Sequence, residues 1–275
     1  MRPTAPEPGP PIAPPCGVAE PRPEDRPGAM THFGYRQVAV AEKSALVRQH
    51  FDRVAPTYDL GNTLMSLGLH HHWKRAAVRR MDLRKGDRVL DVCGGTGDLA
   101  LLAARQVGPS GRVLLYDCNP AMIAKGVAKA SRRNRERNLS FMCGDAERIA
   151  GPAGTYDAAM MGFGVRNLTR MELGLREIYR VLRPGGQFLC LEFSRPEATW
   201  FRALYDAYSF HLMPLLSRLL VGTRDSYLHL AESIRLFPLP DQFAGLLEES
   251  GFRDVSYERL TNGIVAVHRG FKPPR

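Results

Sequence analysis

The run Arg88-Val-Leu-Asp-Val-Cys-Gly-Gly-Thr-Gly-Asp98 constrains this chain more than any other. A short apolar, β-prone segment closes on Asp91, glycines follow at 94, 95 and 97, and the helix-forming run Leu99-Ala-Leu-Leu-Ala-Ala-Arg105 begins at once. The order reads strand, tight turn, helix. Glycines are needed in such a turn because a side chain would hold the backbone away from a ligand and because a sharp bend demands φ > 0. The helix start leaves unpaired N–H donors facing the same crevice. The loop therefore cradles a ligand without naming it: Gly95-x-Gly97-x-x-Ala100 also satisfies the dinucleotide fingerprint.

Strand-like and helical runs alternate from there: Val89–Asp91, a helix to Val107, Val113–Asp117, a helix from Pro120 to Arg133, Leu139–Cys143, Tyr156–Met161, a helix from Arg170 to Leu182, and Gln187–Glu192. Repeated βα units with apolar strands predict a parallel sheet covered on both faces. Asp241–Ser250 reads as a last helix, and Arg253–Leu260 and Ile264–Phe271 as two strands joined by Thr261-Asn262-Gly263. Asn-Gly between such runs is the strongest short-range hairpin signal, so the last strand runs antiparallel to its neighbour, at the edge of the sheet. Before the core, Glu42–Tyr58 and Leu64–Arg75 read as helices around a polar turn at Tyr58–Asn62, forming a lid. The expected architecture is α/β: a Rossmann-like seven-stranded, mostly parallel sheet with an antiparallel last strand, helices on both faces and an N-terminal helical lid.

The first 29 residues hold ten of the 21 prolines and almost no large apolar side chains, a composition that cannot offset the entropy of ordering. A disordered tail over 1–31 is expected, with Met30 as the true initiator. The net charge is +10, and three arginines against four acids leave the tail at −1, so the remainder carries +11. That balance favours an anionic partner, nucleic acid or a membrane surface. Five cysteines, at 16, 93, 118, 143 and 190, show no metal-ligand spacing and read as reduced core residues of a cytosolic protein. No apolar run reaches the roughly 20 residues of a membrane span. His70-His71-His72 invites a metal reading, but consecutive helical residues point about 100° apart, so no metal is expected.

A wholly parallel sheet would suit a nicotinamide domain, whereas a reversed seventh strand resembles the S-adenosylmethionine methyltransferase fold. Further segments make the resemblance specific: Tyr58-Asp59, Met65-Ser-Leu-Gly68, Trp73-Lys-Arg75, Gly94-Gly-Thr-Gly-Asp98, Phe163-Gly-Val-Arg-Asn167, Tyr179-Arg-Val-Leu-Arg-Pro-Gly-Gly186, Leu191-Glu-Phe-Ser194, Tyr205-Asp-Ala-Tyr-Ser-Phe-His211, Asp225-Ser-Tyr227, Leu230-Ala-Glu-Ser-Ile-Arg235 and Val267-His-Arg-Gly270. From His32 to Pro273 the chain resembles the ubiquinone/menaquinone biosynthesis C-methyltransferases, which act on polyprenylated quinols. The resemblance implies one methyltransferase domain over 32–275: helical lid 32–84, cofactor core 85–195, substrate-side helices 196–251 and terminal β-hairpin 252–272.

It also implies S-adenosylmethionine as cofactor, held by Gly94, Gly95, Thr96 and Gly97 of the loop, with Asp145 and Ala146 at its adenine. Asp117, 20 residues past Gly97 at the end of the second strand, can accept both ribose hydroxyls. Gly162 stands where the bacterial family commonly has serine, which leaves at most a backbone contact there.

Methyl transfer from sulfonium to carbon is an in-line displacement, helped mainly by alignment and exclusion of water. The acceptor ring gains its electron density when a quinol hydroxyl loses a proton. Arg166, in the loop after the fourth strand, can stabilise the oxyanion or orient a water, but as a permanent cation it is no base unaided. His211 and Asp206 are the titratable choices for the base, and Tyr58, Asn167, Tyr205 and Tyr208 for substrate contacts. The apolar run Phe201–Val221 would lead an isoprenoid tail toward the crevice, with peripheral contact at the inner face of the membrane from the cytoplasm. An oligomer is compatible with all of this, and no nucleic acid is expected. Methylation of another small molecule or RNA, and a non-catalytic scaffold in a quinone-synthesis complex, stand as the rival readings.

Overall fold

The computed structural model describes residues 29–132, 136–213 and 225–274. The expected tail through residue 28, and Pro214 and Arg218 of the apolar run, lie outside these residues. Where the sequence suggests a tail running to residue 31, Met30–Phe33 (β1) instead pairs antiparallel with Arg36–Ala39 (β2), opening a lid of three helices: Val40–Val54 (α1), Tyr58–Met65 (α2) and Leu69–Arg79 (α3). The polar stretch Tyr58–Asn62, expected as a turn, is helical. Thr63 donates to Asp59 O and Ser66 to Asn62 O, so the hydroxyls satisfy carbonyls of the preceding turn. The chain breaks later, where Leu67 and Gly68 take φ of 50° and 78°. Glycine reaches that left-handed region without strain, whereas Leu67 does so at some cost.

Seven strands form the main sheet in the order β5-β4-β3-β6-β7-β9-β8. These are Arg88–Val92 (β3), Arg112–Asp117 (β4), Leu139–Cys143 (β5), Tyr156–Gly162 (β6), Leu182–Phe193 (β7), Arg253–Leu260 (β8) and Val265–Phe271 (β9). Pairing is parallel from β5 through β7, and β9 runs antiparallel to both of its neighbours. The last strand is not at the edge as its sequence suggests: β9 is inserted between β7 and β8, and β8 forms the edge. Burial explains the order: Val265–His268 are all buried, whereas β8 alternates exposed and half-buried positions. The outer strand carries charge, Glu258 pairing with Arg80 and Arg259 with Glu197, which blunts an exposed edge. The Thr261-Asn262-Gly263 turn takes positive φ at all three residues.

One sheet face is covered by α3, Asp98–Val107 (α4) and Pro120–Ser131 (α5), burying Trp73, Met81, Leu101, Leu115 and Ile123. The other lies under Met171–Val181 (α6) and Pro240–Glu249, which bury Leu175, Ile178, Phe243 and Leu247 against Phe188. Each such side chain contributes about 1.5–3 kcal/mol. Strand order reverses at β3, placing a crevice over the C-terminal ends of β3, β4 and β6. Thr199–Ala207 (α7), a π-helical turn at Tyr208–Leu212 and Asp225–Leu236 (α8) precede the last helix, which becomes α9.

Candidate active site

The glycine loop sits at the crevice as the sequence suggests. A Cβ on Gly94 would lie 2.7 Å from Leu115 Cγ and 2.9 Å from Asp91 Oδ2, so the backbone there stays bare. Gly95 and Gly97 have φ of 56° and 81°. Asp117 accepts from Gly95 N and Asn119 N, each at 2.8 Å, which ties the strand-end carboxylate to the loop, and burial pushes its pKa up. Asp145 accepts from Glu147 N at 2.8 Å at the end of β5, with Ala146 buried next to it. Gly162, at the end of β6, is closed off: a Cβ would come within 2.5 Å of Leu99 Cδ1.

Asp91, which the sequence reading passed over, is fully buried beneath the loop. Its Oδ2 accepts from Ala100 N at 3.0 Å, while Oδ1 has no hydrogen-bond partner among the described residues. Burial raises its pKa to about 8.

Thr96 joins the loop to the lid. Its hydroxyl donates to Asp59 Oδ1 at 2.6 Å and accepts from Lys129 Nζ at 2.9 Å. Lys129 also pairs with Asp59 Oδ2 at 2.7 Å and Asp98 Oδ1 at 2.9 Å, and Lys74 takes Asp98 Oδ2 at 2.8 Å. Burial works against the Asp98 carboxylate, but the two ammonium groups prevail and hold it well below the usual range. The helical-spacing argument against histidine convergence fails next to this cluster. The rings of His70 and His71 lie 3.8 Å apart, and ligand atoms of His70, His71 and Asp98 fall within 4.8 Å of one another. Both Asp98 oxygens already face an ammonium group, Lys74 on Oδ2 and Lys129 on Oδ1.

Next to the loop opens a mainly apolar cavity of about 570 Å³, walled by α1, α2, α3, α7 and α8. Tyr58, Asn167, Tyr205 and Tyr208 all line it. Burial raises all three tyrosines, and Tyr208 donates to Met65 O at 2.6 Å, bracing α7 against the lid. Arg166 lines the cavity from the short helical turn Val165–Asn167. Its Nη1 pairs with Glu192 Oε1 at 2.7 Å and donates to Phe163 O at 2.9 Å, while Nε reaches Ser233 Oγ at 3.3 Å. Phe163 has φ of 59°, a left-handed strain that this hydrogen bond helps to hold. Glu192 is buried, which raises its pKa, and Arg166 opposes the rise.

His211 and Asp206 do not reach the cavity. His211 is exposed, and Asp206 is half-buried and pairs with Arg235 of α8 at 2.6 Å. The reason is angular: Tyr205 and Tyr208 share one helix face at i, i+3, while Asp206 stands about 100° round from it. Three histidines line the cavity, His50, His70 and His229, and of these His50 and His229 escaped the sequence reading. Burial and Arg166 hold His50 down to about 4, and burial with His50 and Arg166 holds His229 down to about 3. Their ring centroids lie 5.2 Å apart, and His229 stacks on Phe33 at 3.8 Å. Nothing local marked them, because the contacts come from β1, α1 and α8. Glu192 did carry a signal: a lone carboxylate inside an apolar strand needs a buried partner. Among the cysteines, Cys93, Cys118 and Cys190 are free, but Cys143 is disulfide-bonded, so the expectation of five reduced thiols does not hold.

Comparison with known proteins bears on this arrangement. The model of the ubiE/COQ5 methyltransferase family matches residues 38–272. A protein of Bradyrhizobium diazoefficiens named "Ubiquinone/menaquinone biosynthesis C-methyltransferase UbiE" is 45% identical over 251 residues, covering 90% of this chain and 99% of its own. One of the same name from Pseudomonas aeruginosa is 44% identical over 243 residues, 88% and 95% of the two chains. Among solved structures, the [4+2]-cyclase SpnF superposes with a TM-score of 0.61 at 19% identity, covering 83% of this chain and 96% of its own. A SAM-dependent methyltransferase from Aquifex aeolicus gives 0.54 at 17% identity, covering 72% and 88%. These structural likenesses carry the fold alone.

Proposed function

The chain belongs to the ubiE/COQ5 methyltransferase family, and from that premise we propose that it methylates a ring carbon of a polyprenylated quinol, with S-adenosylmethionine as donor. The acceptor would be demethylmenaquinol, a methoxy-polyprenyl-benzoquinol, or both. The residues suit that donor: the loop is bare at Gly94, Asp117 stands at the strand end, and Asp91 Oδ1 is buried with unmet capacity. Bound S-adenosylmethionine supplies a methyl group on a cationic sulfur. Gly94, Gly95 and Gly97 would hold it by their backbone, Thr96 by its hydroxyl, Asp117 by accepting from ribose, and Asp145 and Ala146 at the adenine.

The observation that carries the reading is the cavity wall: a mainly apolar chamber onto which Arg166 presents a guanidinium pinned by Glu192 and Phe163 O. A quinol oxyanion facing that guanidinium is stabilised where water is excluded, and the ring gains electron density. His50 and His229, kept neutral, can accept a hydrogen bond from the quinol hydroxyl, while values of about 4 and about 3 make them weak bases, so Arg166 carries the stabilisation of the oxyanion; His211 and Asp206 do not line the cavity. Tyr58 and Asn167 would border the ring.

No helix among the described residues is long and apolar enough to cross a membrane. Leu67, Trp200 and Leu204 are 80%, 71% and 61% exposed, and Leu67 and Leu204 also line the cavity. These side chains support peripheral contact with the bilayer holding the quinol, and the basic surface supports an anionic one. The test is incubation with S-adenosylmethionine and each quinol, read by mass spectrometry. Gain of one methyl on either is expected, and no methylated product from both would overturn the reading.

A further inference from the structure

The geometry points to Lys74, Asp98, Lys129 and Asp59 as the subsite for the zwitterionic amino-acid end of the methyl donor, with Asp59 closing the lid upon it. This rests on the proposed use of S-adenosylmethionine and goes beyond it, since the loop with Thr96, Asp117 and Asp145 supply no charged partner for the ammonium and carboxylate of the amino-acid end.

Four observations converge. Two ammonium and two carboxylate groups meet at 2.7–2.9 Å, a balanced cluster that can re-pair with one added ammonium and one added carboxylate without net charge. Lys74, Asp98 and Lys129 have side chains only 10%, 15% and 16% exposed, drawn from α3, the start of α4 and α5. Gathering buried charges from separate elements is a poor way to stabilise a fold, because desolvation offsets most of the attraction. The cluster's place is also specific. Thr96 of the glycine loop is bonded into it, and Lys74 lines the quinol-sized cavity, so it bridges the cradle and the chamber between which a methyl must pass. Finally, a polar group with unmet capacity adjoins it: His70 is buried, its Nδ1 has no partner among the described residues, and it offers a ring nitrogen within 4.8 Å of an Asp98 oxygen.

Asp59 differs from the other three. Its side chain is 45% exposed and it belongs to α2, the lid helix bordering the cavity. When a carboxylate engages Lys129 and an ammonium engages Asp59, α2 is held to the glycine loop through the ligand as well as through Thr96. Cofactor affinity and lid closure thereby become one event.

The test compares ligands that share a nucleoside and a neutral thioether but differ in the amino-acid end. S-adenosylhomocysteine and 5′-methylthioadenosine are titrated calorimetrically into the full-length protein, into Lys129→Ala and into Asp59→Asn. The unsubstituted protein should prefer S-adenosylhomocysteine by about tenfold or more, the scale of one charge-assisted contact. Both variants should shrink that preference to about threefold or less, with 5′-methylthioadenosine affinity within about twofold of the starting value. A preference that survives in both variants would overturn the assignment, and so would an equal loss for both ligands, which marks a merely structural role. If the unsubstituted protein binds neither ligand, the cofactor reading fails along with the subsite.

Discussion

Arg166 Nη1 lies 2.7 Å from Glu192 Oε1, and these two side chains are 9% and 1% exposed. The pair joins the loop after β6 to the end of β7 beneath the cavity. Removing one member of such a pair strands a buried charge, at about 3–5 kcal/mol. Arg166→Ala should therefore lower stability, and the pH dependence has a definite sign. Glu192 is an acid raised by burial, so its contribution is present at low pH and lost as pH rises through the folded value. Without Arg166 that value rises further. The deficit in Tm should be larger at pH 8 than at pH 5, and a pH-independent deficit would contradict this account. In turnover, loss of the cation should cost about 100-fold or more, with S-adenosylmethionine affinity little changed; Arg166→Lys, which keeps the charge, controls for folding.

Asp117 tests the cofactor cradle separately. Its carboxylate holds Gly95 N and Asn119 N, and on the proposed reading it also accepts from the ribose. Hydrogen bonds to charged groups contribute about 1.5–3 kcal/mol each. Asp117→Ala should weaken S-adenosylmethionine binding by about 10- to 100-fold in a calorimetric titration, while turnover at saturating cofactor falls far less. Unchanged affinity would remove Asp117 from the site.

The contrast between Asp117 and His211 shows what was legible in the chain. Asp117 follows from strand periodicity and loop spacing, which are local, as do the βα alternation and the reversed last strand signalled by Asn262-Gly263. His211, by contrast, does not line the cavity, because which side chains of α7 and the following π-helical turn face it depends on packing. Tyr205 and Tyr208 line the cavity while Asp206 and His211 do not, a matter of packing rather than of composition. His50, His229 and the Asp59–Lys129 link were invisible for a related reason, since each joins elements far apart in sequence. The helix at Tyr58–Asn62 was obscured by polar residues whose neighbours, Thr63 and Ser66, bond back to the helix instead of ending it.

His50 and His229 predict acid sensitivity. Both are held low, at about 4 and about 3, so the unfolded chain binds their protons first as pH falls below about 6.5. Their contribution is therefore full above that pH and lost as pH drops toward the folded values, about 2 kcal/mol per histidine by pH 5. His229 faces His50, Arg166 and Lys43, and His50 faces Arg53 as well, so all the nearby cations act in the same direction. His229→Phe keeps a ring to stack on Phe33 and cannot take a proton. Chemical denaturation at pH 7 and pH 5 should show a smaller loss in the variant. An equal loss would mean that His229 is not held neutral.

Gly162 and Leu99 should be energetically coupled. A Cβ at 162 would come within 2.5 Å of Leu99 Cδ1, and Leu99 is only 5% exposed on the face of α4 that packs on the sheet. Gly162→Ser should then cost about 1–3 kcal/mol by overpacking, and Leu99→Ala about 2–5 kcal/mol by leaving a cavity. Each change relieves the other, because the space vacated by the leucine is the space the serine needs. The double variant should be more stable than the sum of the two losses allows, by about 0.5–3 kcal/mol in a double-mutant cycle. Simple additivity would show that Leu99 moves aside at no cost.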